Sequence, residues 1–148
     1  MNSITIYHSE HHNNTKKIAE VIAKNLDSEI KEAKDIGPNQ LNNYQLIGLG
    51  SGVYHGNLHE DLYRIVRKLP NQNGKKVFIF STTGSKTYSA KAHNYFKREL
   101  KNKGLKVIGE FSCLGFDTAL SPEGINKGRP NSQDLEDAKK FALNLKNK

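Results

Sequence analysis

Apolar positions recur along this chain in two alternating periods. Ser3–His8 (SITIYH) is a short run that predicts a strand. Thr15–Leu26 then sets Ile18, Val21, Ile22 and Leu26 at helical spacing, which gives one apolar face. Glu29–Ile36 alternates imperfectly through Ile30, Ala33 and Ile36, as an exposed edge strand does, and the Gly37-Pro38 pair breaks it. Tyr44–Ser51 (YQLIGLGS) predicts a buried strand that runs into Gly48, Gly50, Gly52 and Gly56. Leu58–Leu69 carries Leu62, Ile65, Val66 and Leu69 as a second amphipathic helix, closed by Pro70. Lys76–Ser81 is nearly continuous in apolar residues, the pattern of a strand covered on both faces. Ser89–Lys103 predicts a helix through Ala92, Phe96 and Leu100, with Gly104 as its stop. Leu105–Leu114 is a fifth strand, and Asn131, with Asp134 three residues on, opens a last helix.

Strands alternating with helices of about 12 residues predict a parallel, doubly wound sheet in a three-layer α/β/α sandwich. Residues 1–148 form a single domain on this reading, since neither a repeat nor a linker interrupts the pattern. In such sheets ligands bind at the carboxyl ends of the strands, where strand order reverses. The chemistry is therefore sought in the loops after strands one, three and four.

The first of these loops is Ser9-Glu10-His11-His12-Asn13-Asn14-Thr15, leading directly into a helix. A helix N-terminus presents free N–H groups and a positive dipole end, which suit a phosphate. Asn13 tolerates left-handed backbone and can close a tight turn around one, with His11 or His12 as a side-chain donor. The loop lacks the Gly-Lys-Ser/Thr of a triphosphate loop, so it suits a monophosphate. The alternative is an ordinary helix start capped by Asn14 or Thr15. Adjacent histidines seldom converge on one ion, so no metal is expected there.

The second loop, Gly50-Ser51-Gly52-Val53-Tyr54-His55-Gly56, lets backbone approach a flat ligand while Tyr54 covers its face. The third, Ser81-Thr82-Thr83-Gly84-Ser85, supplies hydroxyls and amides to polar ring edges. Gly48-x-Gly50 comes on the wrong strand, with the wrong spacing, for a dinucleotide fingerprint.

Composition narrows the classes. Mean hydropathy is −0.71, no apolar run reaches the ~20 residues of a membrane helix, and no secretory signal pattern opens the chain. A cytoplasmic protein is expected. The lone Cys113 excludes an internal disulfide and reads as a buried small apolar residue. Net charge is +8, and residues 75–113 hold nine basic against two acidic side chains. Such a face suits an acidic partner, or is simply a solvated helix.

Asn14-Thr15, Ser51–Gly56 and Ser81–Ser85 together resemble the flavodoxin-like FMN-binding family, over essentially the whole chain. The resemblance implies a five-stranded sheet of order 2-1-3-4-5. It implies FMN, with its phosphate on Ser9–Thr15 and its ring between the two later loops. Asn13 stands at a family glycine, His11 and His12 at hydroxyl residues, and Tyr88 is the one candidate near the third loop for a second ring-stacking aromatic. The segment Cys113-x-Gly115-Phe116-Asp117-Thr118 with Gly124–Asn131 is similar to a block of single-domain members, without a chemical role assigned to it. A low-molecular-weight phosphatase of this architecture needs Cys-x₅-Arg after strand one, and a receiver domain needs an acidic cluster; both are missing.

The expected function is an electron carrier between redox proteins, acidic ones among them, as a monomer or weak dimer with neither nucleic acid nor membrane as partner. An FMN-dependent NAD(P)H or quinone reductase is the alternative, and a basic binding module without flavin a second.

Overall fold

The computed structural model describes residues 2–119 and 121–148. The chain runs β1 (Ser3–His8), α1 (Asn14–Leu26), β2 (Glu29–Glu32), β3 (Leu46–Tyr54), β4 (Asn57–Leu58), α2 (Glu60–Arg67), β5 (Lys76–Thr83), α3 (Lys86–Asn102), β6 (Lys106–Leu114) and α4 (Ser132–Leu145), with short 3-10 turns between β2 and β3. The sheet order is β2-β1-β3-β5-β6, all parallel, and β4 pairs antiparallel with the end of β3. With the two-residue β4 set aside, this is the order 2-1-3-4-5 implied by the resemblance.

Strand alternation divides the core. Ile4, Ile6, Ile47, Leu49, Val77 and Ile79 point toward α2 and α3, where Leu62, Ile65, Val66, Ala92, Phe96 and Leu100 meet them. On the other face Tyr7, Leu46, Phe78 and Phe80 pack against Ile18 and Ile22 of α1 and Ala138, Ala142 and Leu145 of α4. Period two in the strands and 3.6 in the helices thus meet in two apolar layers.

Gly48 and Gly50 face this second layer. They pair in register with Phe78 and Phe80, and a Cβ at Gly48 or Gly50 would lie only 2.1 or 2.3 Å from the nearest ring carbon of its partner. These glycines make room for aromatic packing and take no part in a phosphate turn.

Several element bounds differ from the sequence expectation. The edge strand ends at Glu32, not Ile36, because its partner strand β1 ends one residue past the Tyr7–Glu32 pairing. Ala33 then turns into the core on a 3-10 turn. Strand β3 starts at Leu46 and continues past the expected end at Ser51 through Gly52–Tyr54, which are expected as loop. Pairing of Gly52 with Thr82 and the β3–β4 hairpin extend it. Thr82 and Thr83 likewise extend β5 past the expected Ser81, held by β6. Helix α2 starts two residues later than expected, at Glu60 with His59 as its cap, and α3 three residues earlier, at Lys86. Asn131 and Asp134 form the expected capping box of α4, and Cys113 is buried, where desolvation pushes its thiol up to about 12. No described helix is long and apolar enough to cross a membrane.

Candidate functional site

A cleft of about 390 Å³ opens at the carboxyl ends of β1, β3 and β5, within the usual range for a small-molecule site. Its floor is the entry to α1. Asn13 occupies the N-cap in left-handed backbone (φ 56°) and makes no side-chain cap bond. His11, at φ 57°, is left-handed as well. The chain therefore wraps tightly around the helix start, and the Asn13 side chain caps none of the first-turn amides. The alternative expectation, a helix start capped by Asn14 or Thr15, is corrected: Asn14 instead donates from Nδ2 to the Phe116 carbonyl at 2.8 Å. Thr15 is buried, its hydroxyl 2.7 Å from that of Thr82. Ser9 accepts from the Lys16 amide at 3.3 Å.

Of the expected residues, Ser9, His11, His12, Asn14 and Thr15 of the first loop line this cleft, as do Gly52, Val53 and Tyr54, and Thr82, Thr83 and Gly84. Burial and the nearby Glu10 carboxylate push the Tyr54 hydroxyl up to about 12, so it stays protonated.

Six expected residues stand behind the cleft, outside its lining. Asn13 shapes the turn through its backbone. Ser51 is fully buried, donating to the Gly52 carbonyl and accepting from the His59 amide at 2.9 Å. Ser81 turns toward α3, its hydroxyl 2.8 Å from His93 Nε2 and 3.0 Å from Ser89 Oγ. His93 in turn places Nδ1 3.1 Å from Glu110. With Ser81 fully buried, this serine–histidine–carboxylate row is a packing contact closed to substrate. His55 (φ 52°) and Gly56 (φ 80°) form the tip of the β3–β4 hairpin. Ser85 is the N-cap of α3. Side-chain parity along a strand, which the sequence shows only once register is known, turned Ser51 and Ser81 inward.

The remaining wall comes from the segment to which the sequence assigned no role. Gly115, Phe116, Asp117, Thr118 and Ala119 line the cleft. Phe116 stacks at a tilt on His12, ring centroids 4.5 Å apart, and Thr118 lies 3.1 Å from His12 Nε2. Asn126 ties the segment down by donating to the carbonyls of Gly84 and Gly115 at 3.0 and 3.4 Å. Phe116, not Tyr88, is the second aromatic here; Tyr88 is exposed on α3 outside the lining. The resemblance of the Cys113–Asn131 block was the signal available in the sequence.

Glu10 was also missed. It lines this cleft and an adjoining groove of about 700 Å³ that runs along α2 and α3, and Tyr54 separates the two. Beside Glu10 lie His8, at the end of β1, and His59, the N-cap of α2, whose Nδ1 accepts from the Asp61 amide at 3.0 Å. Burial, then the neighbouring His8, hold His59 below the ordinary histidine range. Arg64 holds the Asp61 carboxyl low against a desolvation that alone would raise it.

A parallel sheet with helices on both faces, a strand-order reversal between β1 and β3, and a cleft over a helix N-terminus define the flavodoxin class of α/β sandwich. The chain belongs to the flavodoxin domain family, whose model matches residues 5–120. It is 40% identical over 148 residues to the uncharacterised protein MJ0298 of Methanocaldococcus jannaschii, covering 98% of both chains. Among solved structures, flavodoxin 2 of Bacillus cereus superposes with a TM-score of 0.75 at 22% identity, over 99% of each chain. An archaeal flavodoxin gives 0.72 at 18%, over 98% of this chain and 96% of its own. The FMN-bound flavodoxin of Fusobacterium nucleatum gives 0.71 at 14%, over 99% and 98%.

Proposed function

We propose that the chain binds FMN in the cleft and carries electrons between redox proteins. The observation that carries this reading is the N-terminus of α1 beneath the cleft, where Asn13 in left-handed backbone gives no side-chain cap and only the Lys16 amide is taken, by Ser9. The Asn14 and Thr15 amides, which have no protein acceptor among the described residues, are suited to the dianionic end of FMN. Ser9, His11 and His12 stand around the same end, while Gly52–Tyr54, Thr82–Gly84 and Phe116 stand where a planar ring would lie. Bound flavin supplies one- and two-electron chemistry. The protein's part is to anchor the phosphate, cover the ring with Tyr54 and offer backbone groups of β3 and β5 to its polar edge. Acidic redox partners and a cytoplasmic location go with the lysine-rich α3 and the lone buried thiol.

The test is the visible spectrum after reconstitution with FMN, FAD and riboflavin followed by desalting. Flavin bands retained with FMN and lost with riboflavin are expected. A colourless protein that ignores FMN refutes the proposal and favours the basic binding module. One observation favours the reductase reading as a second: the groove along α2 and α3 shares Glu10 and Tyr54 with the cleft, and would seat a second ligand beside it. Direct oxidation of NADH or NADPH by the pure protein would establish it.

A further inference from the structure

The imidazole rings of His8 and His59 stack with centroids 3.4 Å apart and only 11° between their planes. Both carry a carboxylate at each end. Glu10 Oε1 lies 3.0 Å from His8 Nε2 and 3.8 Å from His59 Nε2. On the opposite edge, Asp61 Oδ2 lies 3.3 Å from His8 Nδ1 and 3.7 Å from His59 Nδ1. One donor atom from each of His8, Glu10 and His59 falls within 4.8 Å of the other two. The three residues come from β1, the first loop and the start of α2, so only the fold assembles them.

A plain hydrogen-bonded pair would engage one carboxylate oxygen per ring. Here a single oxygen faces both Nε2 atoms and another single oxygen faces both Nδ1 atoms. The first is the donor set of a two-histidine, one-carboxylate site, and the second stands where an outer carboxylate would take the remaining N–H groups of such histidines once a metal held their other nitrogens. We propose that His8, Glu10 and His59 bind one divalent transition-metal ion through both Nε2 atoms and a Glu10 oxygen, with Asp61 as the positioning residue behind the rings.

Distances support the assignment. Bonds of ~2.1 Å in a tetrahedron separate ligand atoms by about 3.4 Å, and the observed 3.0 and 3.8 Å bracket that value. Stacked rings direct their lone pairs nearly parallel, so binding requires rotation about χ2, a soft torsion for histidine. It also requires His59 to carry its proton on Nδ1. That Nδ1–H would donate to Asp61 Oδ2, and α2 would give up the cap bond from the Asp61 amide. Two imidazoles and a carboxylate select a borderline ion such as Zn²⁺ over Ca²⁺ or Mg²⁺, which take oxygen ligands. Glu10 and His59 both line the groove along α2 and α3, so the coordination positions left over face open space. The ion would sit directly behind Tyr54, whose ring meets His8 and His59 edge-on at 6.0 and 5.2 Å.

Isothermal calorimetry of the EDTA-treated, dialysed full chain with Zn²⁺ tests this without reference to flavin. One ion per chain is expected for the parent and for His55→Asn, a neighbouring histidine outside the cluster. His8→Gln and His59→Asn should lose that binding, the second with its helix cap preserved because Asn is a good N-cap. Asp61→Asn should weaken it about 10–100-fold. Melting curves identify any variant that fails to fold, and Glu10→Gln then replaces it. Absence of stoichiometric Zn²⁺ binding by the parent overturns the proposal. So does binding that survives His8→Gln and His59→Asn, or that is lost in His55→Asn.

Discussion

The hydroxyls of Thr15 and Thr82 meet at 2.7 Å, both buried, and join the first turn of α1 to the end of β5. This bond fixes the floor of the cleft against its wall. Thr15→Val keeps the shape and leaves the Thr82 hydroxyl without its partner, which costs about 1–3 kcal/mol for a buried group. The melting temperature should fall, and FMN should be lost more readily than riboflavin because the phosphate end is the one loosened. Equal weakening of both ligands in a titration would remove the phosphate from this loop.

Tyr54 stands at the lip between the two cavities. Flavin fluorescence should be quenched on binding, and Tyr54→Ala should relieve part of that quenching and weaken FMN. A variant that loses thermal stability equally with and without FMN, its quenching intact, would make Tyr54 a packing residue only.

Gly48→Ala drives a methyl into the Phe78 ring. Overpacking of a filled core costs typically ~1–3 kcal/mol, and Phe78 is itself fully buried, so at least that loss is expected in urea unfolding. Gly48→Ala combined with Phe78→Leu should recover a part of it. A single variant as stable as the parent would contradict the packing described.

Burial holds His93 below the ordinary histidine range, against the opposing pull of Glu110. The folded protein therefore takes up this proton less readily than the unfolded chain. Stability from this group is full above the unfolded value of ~6.5 and falls as pH drops through it, by at most about 1.4 kcal/mol per pH unit. Melting curves between about pH 7.5 and 5.5 should show the fall. His93→Gln should begin less stable and vary less across that range; an unchanged slope would assign the effect to other groups.

The basic helix divides into tied and free charges. Lys97 pairs with Glu110 at 2.9 Å, and Lys103 donates to the carbonyls of Arg67 and Leu69 at 2.8 and 2.7 Å. Lys91, Arg98 and Lys101 are exposed on α3. Reversing these three to Glu should slow electron transfer with an acidic partner at low salt, and the difference should shrink as ionic strength rises and the Debye length falls below ~10 Å. Midpoint potentials should move little. Parent rates independent of salt with every acidic partner would leave this face a solvated surface.

The hydrophobic pattern alone determined the order of the major elements and the layering of the sandwich, because Ile18–Ile22, Leu62–Val66 and the Lys76–Ser81 run carry the periods of helix and strand locally. Asn13 was legible too, since a tight left-handed entry to α1 is a property of a few adjacent residues. What the sequence could not decide was side-chain direction at the strand ends. Ser51 and Ser81 sit in polar, glycine-bordered stretches, and whether each faces the cleft or the core depends on register with β1, β3 and β6, which is a long-range pairing. The same holds for Gly48 and Gly50, whose purpose appears only when Phe78 and Phe80 lie opposite them. Phe116 is held at the cleft by long-range bonds, from Asn14 to its carbonyl and from its amide to Arg129, and His8 meets His59 only because β1 ends beside the start of α2. Each of these contacts joins residues far apart in the chain, so only tertiary packing brings them within reach of one another.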